Sequence, residues 1–219
     1  EVEVEHRVQK LEGRRRLQHF EARDVEVWDR YEGHLPGDTP WLPMLQFSTA
    51  PSWESVAEGY RLLLDDALDS PVNPQAIEAF LETALGATDL ATLDRQQLAA
   101  QLLDTVRQRL RYTGLELGEA AIVPRTPAET LERGYGDCKD QATLLVAALR
   151  AAGVPAQVAL VSTGPGIDKD PELPGLDGFD HAIVVLPGPE PCWIDPSHAL
   201  QPACSLPAVA QDRLALIIA

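Results

Sequence analysis

The five residues Gly136-Asp137-Cys138-Lys139-Asp140 constrain this chain more than any other stretch. Asp137 is a strong helix N-cap residue, and Asp140 stands three positions on. Ala142, Leu145, Val146 and Leu149 then recur at helical spacing, Gly153 supplies the stop and Pro155 prevents continuation. The spacing predicts a helix that begins at Cys138 and buries that stripe against a sheet. A sulfur at the first helical position meets unpaired N–H groups and the positive end of the helix dipole, which favour thiolate over thiol. A cysteine serving as small apolar filler belongs among apolar neighbours. Its setting between Gly-Asp and Lys-Asp points to a nucleophile instead.

The same rules divide the rest of the chain. Ser52 caps a helix carrying Val56, Tyr60, Leu63, Leu64 and Ala67, expected over 52–69. Asn73 as cap and Pro74 in the first turn open a second, over 74–85, with Ile77, Phe80, Leu81, Ala84 and Leu85 on one face. A third is expected over 92–112, with Leu98, Leu102, Leu103, Val106 and Leu110 inward and Gly114 past its end. Thr126-Pro127-Ala128-Glu129 is a capping box with Pro at the first helical position, so a short helix precedes the Cys138 helix. Val158–Val161, His181–Leu186 and Cys192–Asp195 read as strands, expected in one antiparallel sheet, and 164–180 as a surface loop. The first fifty residues alternate as β-structure around Val2, Val4 and Val8, and again within Leu17–Trp28, before a Pro-rich connection from Leu35 to Pro51. Two strands alone bury too little to be stable. They are expected either to pack Val25, Val27 and Trp28 on the core or to pair with a second copy of the chain.

A nucleophilic cysteine needs a base and a group that orients the base. His181 leads a buried strand, and Asp195 ends the next one, across the turn Pro187-Gly188-Pro189-Glu190. A hairpin centred on Gly188 sets His181 directly opposite Asp195, with Cβ atoms about 4.5–5.5 Å apart. The backbone N–H of Cys138 is one expected oxyanion donor; for a second, Trp53 and Tyr112 are the candidates. His198 and Asp180 are the alternatives for holding the imidazole. Lys139 is expected on a solvated helix start, and His6, His19 and His34 show no ligand spacing.

Arg133–Asp140, the helix Gln141–Arg150, Gly153, the step Phe179-Asp180-His181 and Trp193-Ile194-Asp195-Pro196 together resemble the transglutaminase-like superfamily, in its bacterial branch of transglutaminase-like enzymes and cysteine proteases. Three motifs match in order over Thr126–Ser197. The resemblance implies an α+β, papain-like core with Cys138 as nucleophile, His181 as base and Asp195 as orienting acid. Gln141 stands where the family leads one to expect Lys, and a solvated position is expected for it. Pro51-Ser52-Trp53-Glu54, Tyr112–Gly118 and the tail Leu206–Ile218 are similar to a group in which a β-rich domain precedes the catalytic core, in envelope proteins of Gram-negative bacteria. That similarity makes residues 1–50 the end of such a domain, residues 51–219 the catalytic domain, and the periplasm or cell envelope the expected location.

Composition narrows the function further. Among 219 residues, 18 are Lys or Arg and 34 are Asp or Glu, a net charge of −16, which argues against nucleic-acid or anionic-membrane partners. Hydrophobic residues at 45% and charged residues at 24% exclude a disordered or fibrous chain. The length suits one large domain or one domain with part of a neighbour, at about 150 residues each. No stretch approaches the roughly 18 apolar residues of a membrane span. The chain opens on Glu1 rather than Met, so a processed product or an excised piece of a longer parent is expected, with any targeting signal outside it. Three cysteines without a Cys-x-x-Cys pair argue against closed zinc sites, and the acidic loop 168–180 lacks regular calcium-ligand spacing, so neither metal nor cofactor is expected. Cys192 and Cys204 are free to pair or not, according to the compartment. The expectation is a cysteine acyl-transfer enzyme acting on amide bonds of a protein or peptide, as peptidase, amidase or transglutaminase. The alternative is a non-catalytic protein- or peptide-binding domain of a larger envelope protein.

Overall fold

The computed structural model describes residues 3–13, 15–25, 46–88, 92–114, 117–164 and 168–219. The chain divides into two units, Glu1–Phe47 with Pro165–Ile167, and Ser48–Gly164 with Asp168–Ala219. In the first, β1 (Val4–Lys10) and β2 (Arg16–Ala22) form an antiparallel hairpin. His6 faces Phe20 in the register and stacks on it at 4.5 Å. Both strands are largely exposed, as is Val25; Val27 and Trp28, expected to seek a partner face, lie outside the described residues.

The second unit is α+β. Its helices are α1 (Trp53–Leu68), α2 (Asn73–Leu85), α3 (Arg95–Arg109), α4 (Pro127–Arg133) and α5 (Cys138–Ala151). A two-residue parallel pairing joins β3 (Arg111–Tyr112) to β4 (Tyr135–Gly136). The main sheet contains β5 (Gln157–Val161), β6 (His181–Leu186), β7 (Cys192–Ile194) and β8 (Ala215–Ile218) in the order β7-β6-β5-β8, every neighbour antiparallel. Among the described residues no helix is long and apolar enough to cross a membrane.

Helix α5 is the centre of this unit. Every residue from Cys138 to Val146 is buried, as are Ala148 and Leu149, because α1, α2, α3, α4 and the sheet all pack around it. Its apolar residues join Phe80, Leu102, Leu103, Val106, Val158, Val184 and Ile194 in one core. The other face of the sheet buries Ala159, Val161, Ile183 and Val185 beneath Trp193 and Leu206. Burial on both faces explains why β6 reads as an unbroken apolar run after His181.

Two local expectations are corrected, and one strand is added. Asn73 is not the cap of α2; Val72 takes that position. Asn73 is buried instead, donating to the carbonyls of Ala67 and Leu68 at 2.7 and 2.8 Å and accepting from the Ala128 N–H at 3.2 Å, so it ties α1, α2 and α4 together. Helix α3 is shorter than 92–112 because Asp94 and Gln97 form a capping box at its start. At its end the chain turns extended at Leu110, where Arg111 and Thr113 donate to the carbonyls of Gly134 and Gly136. Strand β8, at the sheet edge beside β5, lies in a tail read only by family likeness.

Cys192 and Cys204 form a disulfide that fastens β7 to the loop before β8, leaving Cys138 as the free thiol among the described residues. A cross-link over a loop of this size stabilises by about 2–4 kcal/mol. Urea denaturation with and without reductant should show a loss of that size; equal midpoints would mean the bond carries no stability.

Candidate active site

The start of α5 is built from buried charge. Asp137 and Asp140 are fully buried and form a reciprocal capping box: the Asp137 carboxylate accepts from the Asp140 N–H at 3.2 Å, and the Asp140 carboxylate from the Asp137 N–H at 3.4 Å. Two buried carboxylates require counterions. Arg125 supplies one, donating to Asp140 through its guanidinium at 2.8 Å and its backbone N–H at 2.9 Å. Lys139 supplies the other, with its ammonium on Asp137. Lys139 is therefore buried and paired, not solvated as expected. Gln141 is buried too, its amide donating to the Gly136 carbonyl at 3.2 Å, which corrects the solvated position expected for it. Both were misplaced because α5 is enclosed on all sides, which a single polar stripe cannot reveal.

Two glycines lead into this corner. Gly134 closes α4 in the left-handed conformation, φ 68°. A Cβ at Gly136 would lie 2.7 Å from the Asp140 Cβ and 3.3 Å from the Thr130 methyl, so this position admits no side chain without displacing the capping box.

Cys138 opens onto a cavity of about 310 Å³ that His181, Tyr60, Leu176 and Phe179 also line. A larger cavity of about 820 Å³ lies toward the C-terminal end of α5, by Ile77, Glu78 and Arg150, and its lining contains neither cysteine nor histidine. Among the described residues no group of three His, Cys, Asp or Glu side chains is placed to hold a metal ion.

His181 begins β6, and its Nε2 lies 2.9 Å from the Asp195 Oδ2. The pairing is not the one the hairpin reading predicts. The ladder runs Val184 to Ile194, Val185 to Trp193 and Leu186 to Cys192, so it is centred on Pro189, and continuing it would set Asp195 opposite Ile183. The connection takes five residues, with Gly188 at φ 155°, one more than the four-residue turn read from sequence. That slip of two preserves strand parity, and the side chains still meet.

Asp195 is fixed on all sides. Its Oδ1 accepts from the Ser197 N–H, the Ser197 hydroxyl and the His198 N–H at 3.0, 2.8 and 3.2 Å, leaving Oδ2 for the imidazole. Its carbonyl accepts from the Arg107 guanidinium of α3 at 2.9 Å. Burial pushes the carboxyl up, but the bonds from His181 and Ser197 outweigh it and hold Asp195 below the usual carboxylate value. Burial likewise works against a charged His181, yet Asp195 and the Cys138 sulfur prevail and raise its pKa to about 10.

The alternatives go elsewhere. Asp180 accepts from the Thr163 N–H, the Thr163 hydroxyl and the Gly164 N–H, so it organises a loop. His198 meets Asp195 through its backbone. The Trp53 indole donates to the Pro171 carbonyl at 2.7 Å and packs edge-on against Phe179, so its N–H is committed away from the sulfur. Tyr112 is exposed on β3. Ser197 was missed, although Asp-Pro-Ser is a turn pattern; Arg107, Arg125 and Tyr60 carried no local signal.

Comparison with known proteins agrees with the resemblance read from the sequence. Residues 82–184 match the family model described as Transglutaminase-like superfamily, a span that includes Cys138 and His181 and ends before Asp195. The fold is similar to a crystal structure from Parabacteroides distasonis described as a "putative protease", with a TM-score of 0.56 and 18% identity over 83% of this chain. This chain spans 33% of that protein's length. No curated protein matches the sequence.

Two outcomes follow from this geometry. Gly136→Ala should destabilise by about 1–3 kcal/mol through overpacking and slow iodoacetamide alkylation of Cys138; a variant unchanged in both would mean the corner is loose. A histidine that holds its proton more tightly folded than unfolded stabilises fully below its unfolded value of 6.5, and the benefit is lost as pH rises through about 10. The difference in unfolding free energy between wild type and His181→Gln should therefore be largest near about pH 6 and shrink toward about pH 10. A difference independent of pH would show that the ring is not held charged.

Proposed function

We propose that this protein is a cysteine acyl-transfer enzyme with a papain-like core, acting on amide bonds of proteins or peptides through Cys138, His181 and Asp195. The observation that carries the reading is one arrangement: an imidazole bonded through Nε2 to a fixed carboxylate, sharing a cavity with a cysteine at a helix start. With Nε2 committed to Asp195, Nδ1 is the ring nitrogen left to serve the sulfur. The Cys138 thiolate attacks the amide carbonyl, the imidazolium gives its proton to the leaving amine, and a thioester remains. Water resolves the thioester in hydrolysis and an amine resolves it in transamidation; His181 takes a proton from either. Asp195 keeps the ring in one tautomer and orientation.

The disulfide supports an oxidising compartment, in keeping with a periplasmic or envelope location. Residues 1–50 fit the end of a preceding β-rich domain, and the exposed hairpin in them is in keeping with missing neighbours.

Cys138→Ala should abolish both peptide release from casein and incorporation of a fluorescent primary amine into it, whichever of the two the wild type performs. Asp195→Asn should leave the fold intact and slow turnover by about 10²–10⁴-fold, since the tautomer is lost. Asp195→Asn at the wild-type rate would mean that another group orients His181. Unchanged activity in Cys138→Ala would remove the assignment altogether.

A further inference from the structure

An acyl-transfer centre of the kind proposed above must receive the negative charge that develops on the carbonyl oxygen. The Cys138 N–H, first in α5, has no partner within its helix and can supply one donor. Trp53, the first candidate for a second donor, is committed to Pro171. Tyr60 offers what Trp53 does not. It lies on the inner face of α1, only 4% exposed, and lines the same cavity as Cys138 and His181. Among the described residues its hydroxyl has no hydrogen-bond partner. The ring is buried but the hydroxyl oxygen is not among the side-chain atoms shut off from solvent, so it opens to solvent from the wall of that cavity and is placed for a ligand's acceptor. The ring is enclosed with Leu64 and the α5 residues of the core, so the phenol is held in place by packing.

We propose that Tyr60 is the second oxyanion donor, its phenol hydroxyl bonding the oxygen of the tetrahedral intermediate opposite the Cys138 N–H. The proposal rests on the acyl-transfer reading. As the Cys138 sulfur bonds to the carbonyl carbon, the C=O π pair moves onto oxygen, which accepts from both donors. Collapse re-forms the C=O bond and breaks the C–N bond, and the amine leaves with the His181 proton. Burial, together with the negative charge of Cys138, Asp137 and Asp140, pushes the Tyr60 phenol well above its ordinary value of 10, so it keeps its proton and acts as donor throughout.

Tyr60→Phe deletes the hydroxyl and keeps the ring. Two reagents then separate the roles. p-Nitrophenyl acetate acylates the sulfur through a tetrahedral oxyanion, whereas iodoacetamide alkylates it by displacing iodide, with no oxyanion formed. Tyr60→Phe should lower the acylation rate constant by about 10²-fold and leave alkylation rate, thermal midpoint and the pH profile of alkylation as in wild type. Acylation within about threefold of wild type would overturn the proposal, as would an equal fall in both rates, which would make Tyr60 a support for the sulfur's position. Cys138→Ala distinguishes the parent reading: if the nitrophenol burst survives in that variant, the acyl-transfer centre itself is misassigned, whatever Tyr60 does.

Discussion

The reciprocal capping of Asp137 and Asp140 at the start of α5 is the interaction on which the rest of the structure depends. It lies wholly out of water, and it holds two carboxylates against Lys139 and Arg125, so removing any one partner strands a buried charge. A helix end can be capped far more simply by a solvated Ser or Thr. Here the ionic corner fixes where the helix begins to within a residue, and Cys138 is the residue so fixed. Gly136 belongs to the same device, since the backbone passes too close to Asp140 for a side chain. The apolar core around α5 then locks the helix axis, with Leu144, Leu145 and Leu149 fully buried among α2, α3 and the sheet.

The opposing half of the site is held by different means. Asp195 lies just past the end of β7, where a turn through Ser197 and His198 saturates one carboxylate oxygen, and the Arg107 bond restrains its carbonyl. The disulfide at Cys192 anchors the same strand three residues upstream. The orientation of the imidazole is therefore set by a strand end, a turn and a cross-link. This explains how the pair survives a hairpin register two residues away from the one that would place it face to face. What the pairing requires is shared parity and reach, and both are kept.

Much of this was legible in the sequence, and the limits are physical. The capping boxes at Thr126 and Asp137 were readable because capping chemistry is local, spanning four residues. The stripe of α5 and the strands β5, β6 and β7 were readable from periodicity. The burial of Lys139 and Gln141 was not, because an enclosing helix can bury a polar face only where tertiary partners exist, and those partners, Asp137 and the Gly136 carbonyl, are visible only in the folded corner. Asn73 resembled a cap for a similar reason: its side chain bonds backbone groups, but those of α1 and α4 rather than of its own helix. Tyr60 sits on a helical stripe with Leu63, Leu64 and Ala67, and nothing in the pattern separates a tyrosine enclosed in the core from one that also lines a cavity shared with Cys138.

The central claim is that Cys138, placed by that corner and served by His181, forms a thioester with an acyl donor. Acid quenching of the protein during reaction with an activated ester, followed by peptide mapping by mass spectrometry, tests it most directly. The account predicts a single acyl group on the peptide carrying Cys138, absent after unfolding before exposure and absent in His181→Gln at the same time point. An adduct spread over lysines and other nucleophiles, or a Cys138 adduct that forms as fast in the unfolded chain, would contradict it.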